Sequence, residues 1–461
     1  MNYLFYDLET TGLCESFDQI VRFAAILSDE NLKVIDKYEI SIQLRPDIVP
    51  SPYALIITRL GINDITNGLS EYDALNQIHK IFNRPKQINL GYNSLNFDNN
   101  MLRFGFYRNL LDPYSHQYKN GAFRADVMNI NLLYYLYKTD AIQWTDEKPM
   151  KLENINKCNN FFDGKSHDAM VDVEITLALC RVLRSHDKRM WDYLIGGFIK
   201  NNDLSRSDKL TDIKIDNSPY RLGVYTDISL GYESKCCCAA LCIGRHNIYR
   251  NQSLWLKLDY PDIAEYFSDK DISPRILKRK DGEPHFVLPW EKSYNYILGE
   301  ARVQSVKNNI KWLSENPHIL SAFIDNVKAS EYDDIDNLDI DAAIYKDGIF
   351  KDSEISDIRA FHSSDTGEKV QLIDSTQNKR VSELGSRIIF RNFPEHLNAQ
   401  SKEKIKKSII QSDLISLKGK FRRKPGEGIE EAESILLKDN INREQTQILK
   451  DYISYLNHPK N

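Results

Sequence analysis

The sequence contains no apolar run close to the ~18 residues a membrane-spanning helix needs, and no leader-like stretch precedes its first motif. A cytoplasmic protein without a membrane anchor is therefore expected. There is no internal repeat and no low-complexity segment. Positive charge is not in excess either, since the 461 residues carry a formal charge of −5. That balance excludes a sequence-blind basic coat but leaves room for a local basic lining. Cysteines are sparse and odd in number, seven in all, which suits reduced thiols rather than a disulfide framework. KCCCAALCIG is the one place where they cluster. Neighbouring residues on a strand point to opposite faces and no second CxxC closes a tetrahedron, so a strand of small residues is expected there rather than a zinc site.

What is present is the composition of an ordinary globular protein, 41% hydrophobic and 28% charged. At ~150 residues per domain the length suggests about three domains. Residues 1–187 alternate strand-like runs (YLFYDLET, IVRFAAILSD, VIDKYEISIQL, INLGYN) with helical ones (YDALNQIHKIFN, DAMVDVEITLALCRVL), the pattern of a mixed α/β sheet covered by helices. Residues 188–335 break into short strands such as YRLGVYTDI, CCCAALCIG and SLWLKLDY, then a helical stretch interrupted near Pro317. Residues 336–461 carry amphipathic helical patterns. Between two of these lies KGKFRRKPGEG, whose basic, turn-rich composition predicts a solvated loop, with phosphate contact as the sharper reading.

The chemistry is concentrated in the first segment. In DLETTG, Asp7 and Glu9 stand at i and i+2 of a strand and so share a face, where two carboxylates can hold one hard cation such as Mg²⁺ or Mn²⁺. Alone, that motif is about as well read as a polar strand end. Asp98 follows Phe97 at the entrance of a helical stretch, and Asp172 interrupts an otherwise apolar helix, where a carboxylate is costly unless paired or bound to metal. Four such acids would repel one another, and two divalent ions would remove the penalty. His167, five residues before Asp172, can serve as a base near neutral pH. These types suit two-metal phosphodiester hydrolysis, with Asp7 bridging the ions, Glu9 and Asp172 on the water-activating one, Asp98 supporting the second and His167 taking the proton.

The five residues together resemble the DEDD exonuclease superfamily, in its His-containing branch. GYNSLNFDNNMLRFGFYRNLLDPY, KLENINKCN, SHDAMVDV and, near the C-terminus, DAAIYKDGIF and NKRVSELGSRIIFRNFPEHL resemble bacterial exodeoxyribonuclease I more specifically. That resemblance implies a ribonuclease-H-like exonuclease domain, an SH3-like β domain with a helical extension and a C-terminal α-helical domain. It also implies 3′→5′ removal of mononucleotides from single-stranded DNA with Mg²⁺, a monomer, a role in DNA repair or recombination, and recruitment by the acidic tail of single-stranded DNA-binding protein. Carried over by position, Glu9 and Thr10 approach the terminal nucleotide, and Arg103, Tyr114, Tyr118 and Lys151 contact the strand. Lys151 replaces an arginine, Arg59 a glycine, and Asn129 a basic residue of the family pattern. An RNA-trimming enzyme, a silent nucleic-acid scaffold and a proofreading subunit are the competing readings.

Overall fold

Strand β1 (Asn2–Thr10) is the organising element of a mixed five-stranded sheet, joined by β2 (Ile20–Ser28), β3 (Val34–Ser41), β4 (Gln87–Gly91) and β5 (Phe123–Asp126) in the order β3-β2-β1-β4-β5. Its aromatic and aliphatic run is buried along almost its whole length, as befits a strand with neighbours on both sides. It pairs antiparallel with β2 and parallel with β4. Edge strand β3 presents Asp36, Lys37 and Glu39 to solvent, which discourages pairing with another chain.

The structure is a computed structural model that describes residues 1–164, 168–268, 275–283, 285–330, 335–410, 413–438 and 441–458. It forms two compact units, each assembled from separated stretches of chain: 1–124, 162–177 and 334–461 in one, 125–161 and 178–333 in the other. In the first, helix Glu71–Phe82 is capped by Ser70, which accepts from Asp73 N, and lays Leu75, Ile78 and Phe82 on the sheet beside Leu4, Tyr6 and Phe106. C-terminal helices complete two further cores. Ile344, Phe361, Leu384 and Ile388 pack with Tyr72, Phe104 and Tyr107, while Ala432, Leu449 and Tyr452 pack with Leu55, Ile62 and Ile65.

A buried ionic network crosses this same unit. Arg45 meets Asp47 at 3.2 Å and Glu71 at 3.1 Å, Arg391 joins Asp47 at 2.8 Å to Asp341 at 2.6 Å, and Arg387 reaches Asp339 at 2.6 Å. The flanking guanidinium groups outweigh burial and hold the Asp47 and Asp341 carboxyls below the usual range.

The stretch KGKFRRKPGEG is largely exposed, as expected of a solvated loop, but it is pinned at Arg422 and enters a helix at Pro425. The helix before it, Ala399–Ile410, ends before Asp413, and Ile415 bridges Leu338 on one side and Phe421 on the other. Ser416 N donates to Lys420 O at 2.8 Å, so the residues between form a tight turn with Gly419 at φ 68°. Arg422 enters the buried network at 3.2 Å from Asp47 and 2.5 Å from Asp341. Composition marks a run as basic; it does not reveal buried acids elsewhere in the chain.

The second unit holds an antiparallel sheet of β6 (Thr211–Ile215), β7 (Ser218–Thr226), β8 (Cys237–Arg245), β9 (Gln252–Lys257), β10 (Ile276–Lys280) and β11 (Val287–Pro289), with β6 and β11 both pairing with β7. The cysteine cluster is the strand expected: Cys237, Cys238 and Ala239–Leu241 are buried in β8, and all seven cysteines are free thiols. Helices Gly299–Glu315 and Pro317–Ala329 break where proline, at the first position of the second helix, cannot continue the first.

Candidate active site

The site begins at the C-terminal end of β1. Asp7 and Glu9 share a face there, and the β1–β2 register slips between Glu9 and Thr10, a bulge of the kind found beside active sites. Asp98 arrives from β4, the parallel neighbour. Gly91 ends that strand against Tyr6, where a Cβ would stand 2.6 Å from the Tyr6 carbonyl oxygen, so only glycine fits. The turn beyond is tied by Gly91 N donating to Ser94 Oγ at 3.1 Å and Asn99 N to Ser94 O at 2.8 Å. Phe97 packs against the sheet core, and helix Asp98–Arg108 starts at the acid itself.

Asp172 comes from helix Ala169–His186, whose first turn is capped by Asp168: the carboxylate accepts from Met170 N at 3.0 Å and Val171 N at 3.3 Å. Asp98 and Asp172 thus both sit in the first turn of a helix, at its positive end. His167 lies outside the described residues.

Electrostatics show how crowded the group is. Asp7 is half-buried by area, yet protein atoms enclose its carboxyl; burial first, then Asp98, Glu9 and Asp172, pushes it well above the carboxylate range. Glu9, 9% exposed, is pushed up to about 8 by burial, Asp172, Asp98 and Asp168, with Arg22 pulling the other way. Among the described residues no three His, Cys, Asp or Glu side chains form a ready-made metal cage. The donor set nevertheless fits hard divalent cations: facing carboxylates that resist ionisation in each other's presence are relieved by positive charge between them. Asp7, Glu9, Asp98 and Asp172 are the residues able to hold such ions.

Glu9 lies on the wall of two cavities. One, of about 230 Å³, also meets Arg22, Arg59 and Asp168; the other, of about 640 Å³, also meets Thr10, Leu13, Tyr53 and Ile57. Arg59, in the left-handed region at φ 59°, therefore faces the site. Thr10 is buried and donates its hydroxyl to Gly12 O at 2.9 Å. Asp168 went unnoticed as a site residue because its place four before Asp172 reads equally well as a cap.

The expected strand contacts divide. Arg103 is only 5% exposed, donates to Tyr345 Oη at 2.6 Å and lies 5.2 Å from the Tyr114 ring centroid. Neither residue lines a cavity containing Glu9. Tyr118 is 64% exposed. In the second unit, Lys151 is exposed and pairs with Glu153 at 2.5 Å, and Asn129 is buried.

Two family models match the chain, Exonuclease over residues 4–180 and Exonuclease I C-terminal domain over 338–458. The exodeoxyribonuclease I of Buchnera aphidicola (subspecies Schizaphis graminum) is 24% identical over 99% of this chain and 95% of its own length. Along almost its whole length the chain is similar to the exodeoxyribonuclease I family. The Escherichia coli (strain K12) member of that family is 32% identical over 42% of each chain. The crystal structure of E. coli exonuclease I in complex with a dA16 oligonucleotide has the same fold, with a TM-score of 0.86, 22% identity and 99% of both chains covered. The chain is a hydrolase, an exonuclease, with a helical C-terminal segment. Among the described residues no helix is long and apolar enough to cross a membrane.

Proposed function

We propose that this enzyme removes 5′-mononucleotides from the 3′ end of single-stranded DNA by phosphodiester hydrolysis, with Asp7, Glu9, Asp98 and Asp172 holding two Mg²⁺ ions that Mn²⁺ can replace. The observation that carries the reading is the convergence of these four acids, from β1, the start of the Asp98 helix and the first turn of the Asp172 helix, strongly enough to drive Asp7 and Glu9 toward protonation. Bound there, the ions would lower the pKa of the attacking water and stabilise charge on the leaving 3′-oxygen.

The chain's own side chains do the rest. Asp7 and Glu9, fixed by the sheet, present their oxygens on one face, and the helix-start acids close on them from the other elements. Glu9 and Thr10, side by side on the wall of the larger cavity, position the terminal nucleotide. His167, five residues before Asp172, takes the proton from water. Tyr118 and Lys151 meet the strand farther on, and Arg103 acts through its packing on Tyr114. The protein works as a cytoplasmic monomer recruited by the acidic tail of single-stranded DNA-binding protein.

A time course on 5′-labelled single-stranded DNA, duplex DNA and RNA, with Mg²⁺ or with chelator, tests this. Stepwise shortening of the single-stranded DNA only with metal is expected. Faster decay of RNA, or binding with no product in Mg²⁺, would overturn it.

A further inference from the structure

The 640 Å³ cavity that holds Glu9 and Thr10 is closed on another side by the C-terminal hairpin, through Lys420, Phe421, Arg422 and Arg423. Such a volume lies within the roughly 300–1,000 Å³ of small-ligand sites. We propose that this hairpin grips the strand next to its 3′ end, Phe421 stacking on a base and Lys420 holding a phosphate. The inference rests on the single-stranded DNA reading above and adds to it a contact from a part of the chain far from the acidic site in sequence.

Four observations carry it. The hairpin is anchored by its other cations: Lys418 pairs with Glu15 at 2.9 Å, Arg423 with Glu431 at 2.8 Å, and Arg422, besides its acids, lies 4.3 Å from the Phe17 ring centroid. Between these fixed points Phe421 is 56% exposed, a large ring held out into water with no aromatic partner among the described residues. Leu13, Tyr53 and Ile57, which line the same cavity, are also exposed, at 76, 41 and 52%, so apolar surface surrounds a space that ends at carboxylates. Lys420 is exposed and forms no ion pair among the described residues, and the acids beside it are engaged elsewhere: Asp47 with arginines, Asp18 with Thr11 and Cys14, Glu431 with Arg423, and Glu427 with Lys424 N.

A rigid aromatic platform beside an uncommitted cation, in a cavity that also reaches Glu9, is the combination a single strand requires. Bases stack on the ring without regard to sequence, and the ammonium meets the backbone. Preorganisation by Arg422 keeps the ordering cost of that stack low.

The test uses the full chain and oligothymidine carrying 2-aminopurine at each of the last four positions in turn, with chelator so that the strand survives. Phe421→Ala is expected to abolish quenching of 2-aminopurine at one of those positions and to weaken binding about tenfold. Phe421→Trp restores both. Lys420→Gln lowers the slope of log affinity against log salt by about 0.7. With metal, the losses appear in KM while kcat stays near wild type. Because both side chains are exposed, each variant should melt as the wild type does. Wild-type quenching and affinity in Phe421→Ala overturn the proposal, and an unchanged salt slope in Lys420→Gln removes the phosphate contact from it. If the unsubstituted enzyme releases no nucleotide from single-stranded DNA with Mg²⁺, the underlying reading falls and this one with it; normal release beside a silent Phe421→Ala overturns only the hairpin's role.

Discussion

Glu9 stands directly opposite Arg22 in the antiparallel β1–β2 register, yet that single guanidinium does not keep its carboxyl ionised at neutral pH. Burial and the carboxylates of Asp172, Asp98 and Asp168 act against it and push the group up to about 8. A strand pair arranged for stability would have matched charges one to one. Here acids exceed bases around a partly open pocket, which is the electrostatic signature of a cation site.

The first consequence is a pH dependence of stability that metal should remove. Between the ordinary glutamate value of 4.5 and about 8 the folded chain keeps a proton at Glu9 that the unfolded chain has released. The site's contribution is therefore complete below the unfolded value and declines as pH rises through the folded one. In chelator, the melting temperature should fall as pH rises from about 5 to 8, and Mg²⁺ should raise it more at pH 8 than at pH 6. Equal Mg²⁺ shifts at both pH values would contradict this.

Asp7→Asn should separate stability from chemistry. Removing one charge from the crowded group is expected to raise the metal-free melting temperature at pH 8 while nucleotide release drops by about a hundredfold or more, since even outer-shell partners of metals cost 10–100-fold. Steady-state release assays and thermal melts on the same preparation check both halves.

The ionic network should behave in the opposite way. Arg391→Met removes one of the three arginines on Asp47 and one of the three on Asp341, whose side chains are buried, so a loss of about 1–3 kcal/mol is expected in urea unfolding. Those carboxyls have lowered pKa values, so their contribution is present above the unfolded value near 3.8 and disappears as pH falls through the folded one. The gap between wild type and variant should therefore stay constant above about pH 5 and begin to narrow only below 3.8, which a urea series from about pH 6 to about pH 2 would reveal.

Leu449→Ala probes the core shared by the two ends of the chain. The side chain is fully buried between C-terminal helices and the Leu55–Ile65 region, and its truncation should cost about 2–5 kcal/mol. If the C-terminal helices were a separate folding body, hydrogen exchange near Leu55 would be unchanged; faster exchange there is the expected result.

Much of the site was legible because its cues are short-range. The i, i+2 spacing of Asp7 and Glu9 requires only a strand, and the polar start of the Ala169–His186 helix and the turn before Asp98 are set by neighbours within a few residues. Arg103 shows where such cues stop. The family resemblance implies a strand contact there, and no local pattern foretells that Tyr345, 242 positions away, accepts its hydrogen bond in a part-buried contact. Arg422 is the reverse case, a residue in a basic loop whose partners Asp47 and Asp341 are not its neighbours in sequence.

By itself, then, the order of residues determined the strands, the helices, the cysteine-bearing β8 and the acids that could meet a divalent cation, since periodicity, capping and carboxylate chemistry act within a turn or two. Only tertiary structure decided that residues 334–461 close onto 1–124, that Arg103 meets Tyr114 and Tyr345, and that Lys420 and Phe421 line the same cavity as Glu9. Those outcomes depend on burial and charge pairing between distant segments, which no local pattern encodes.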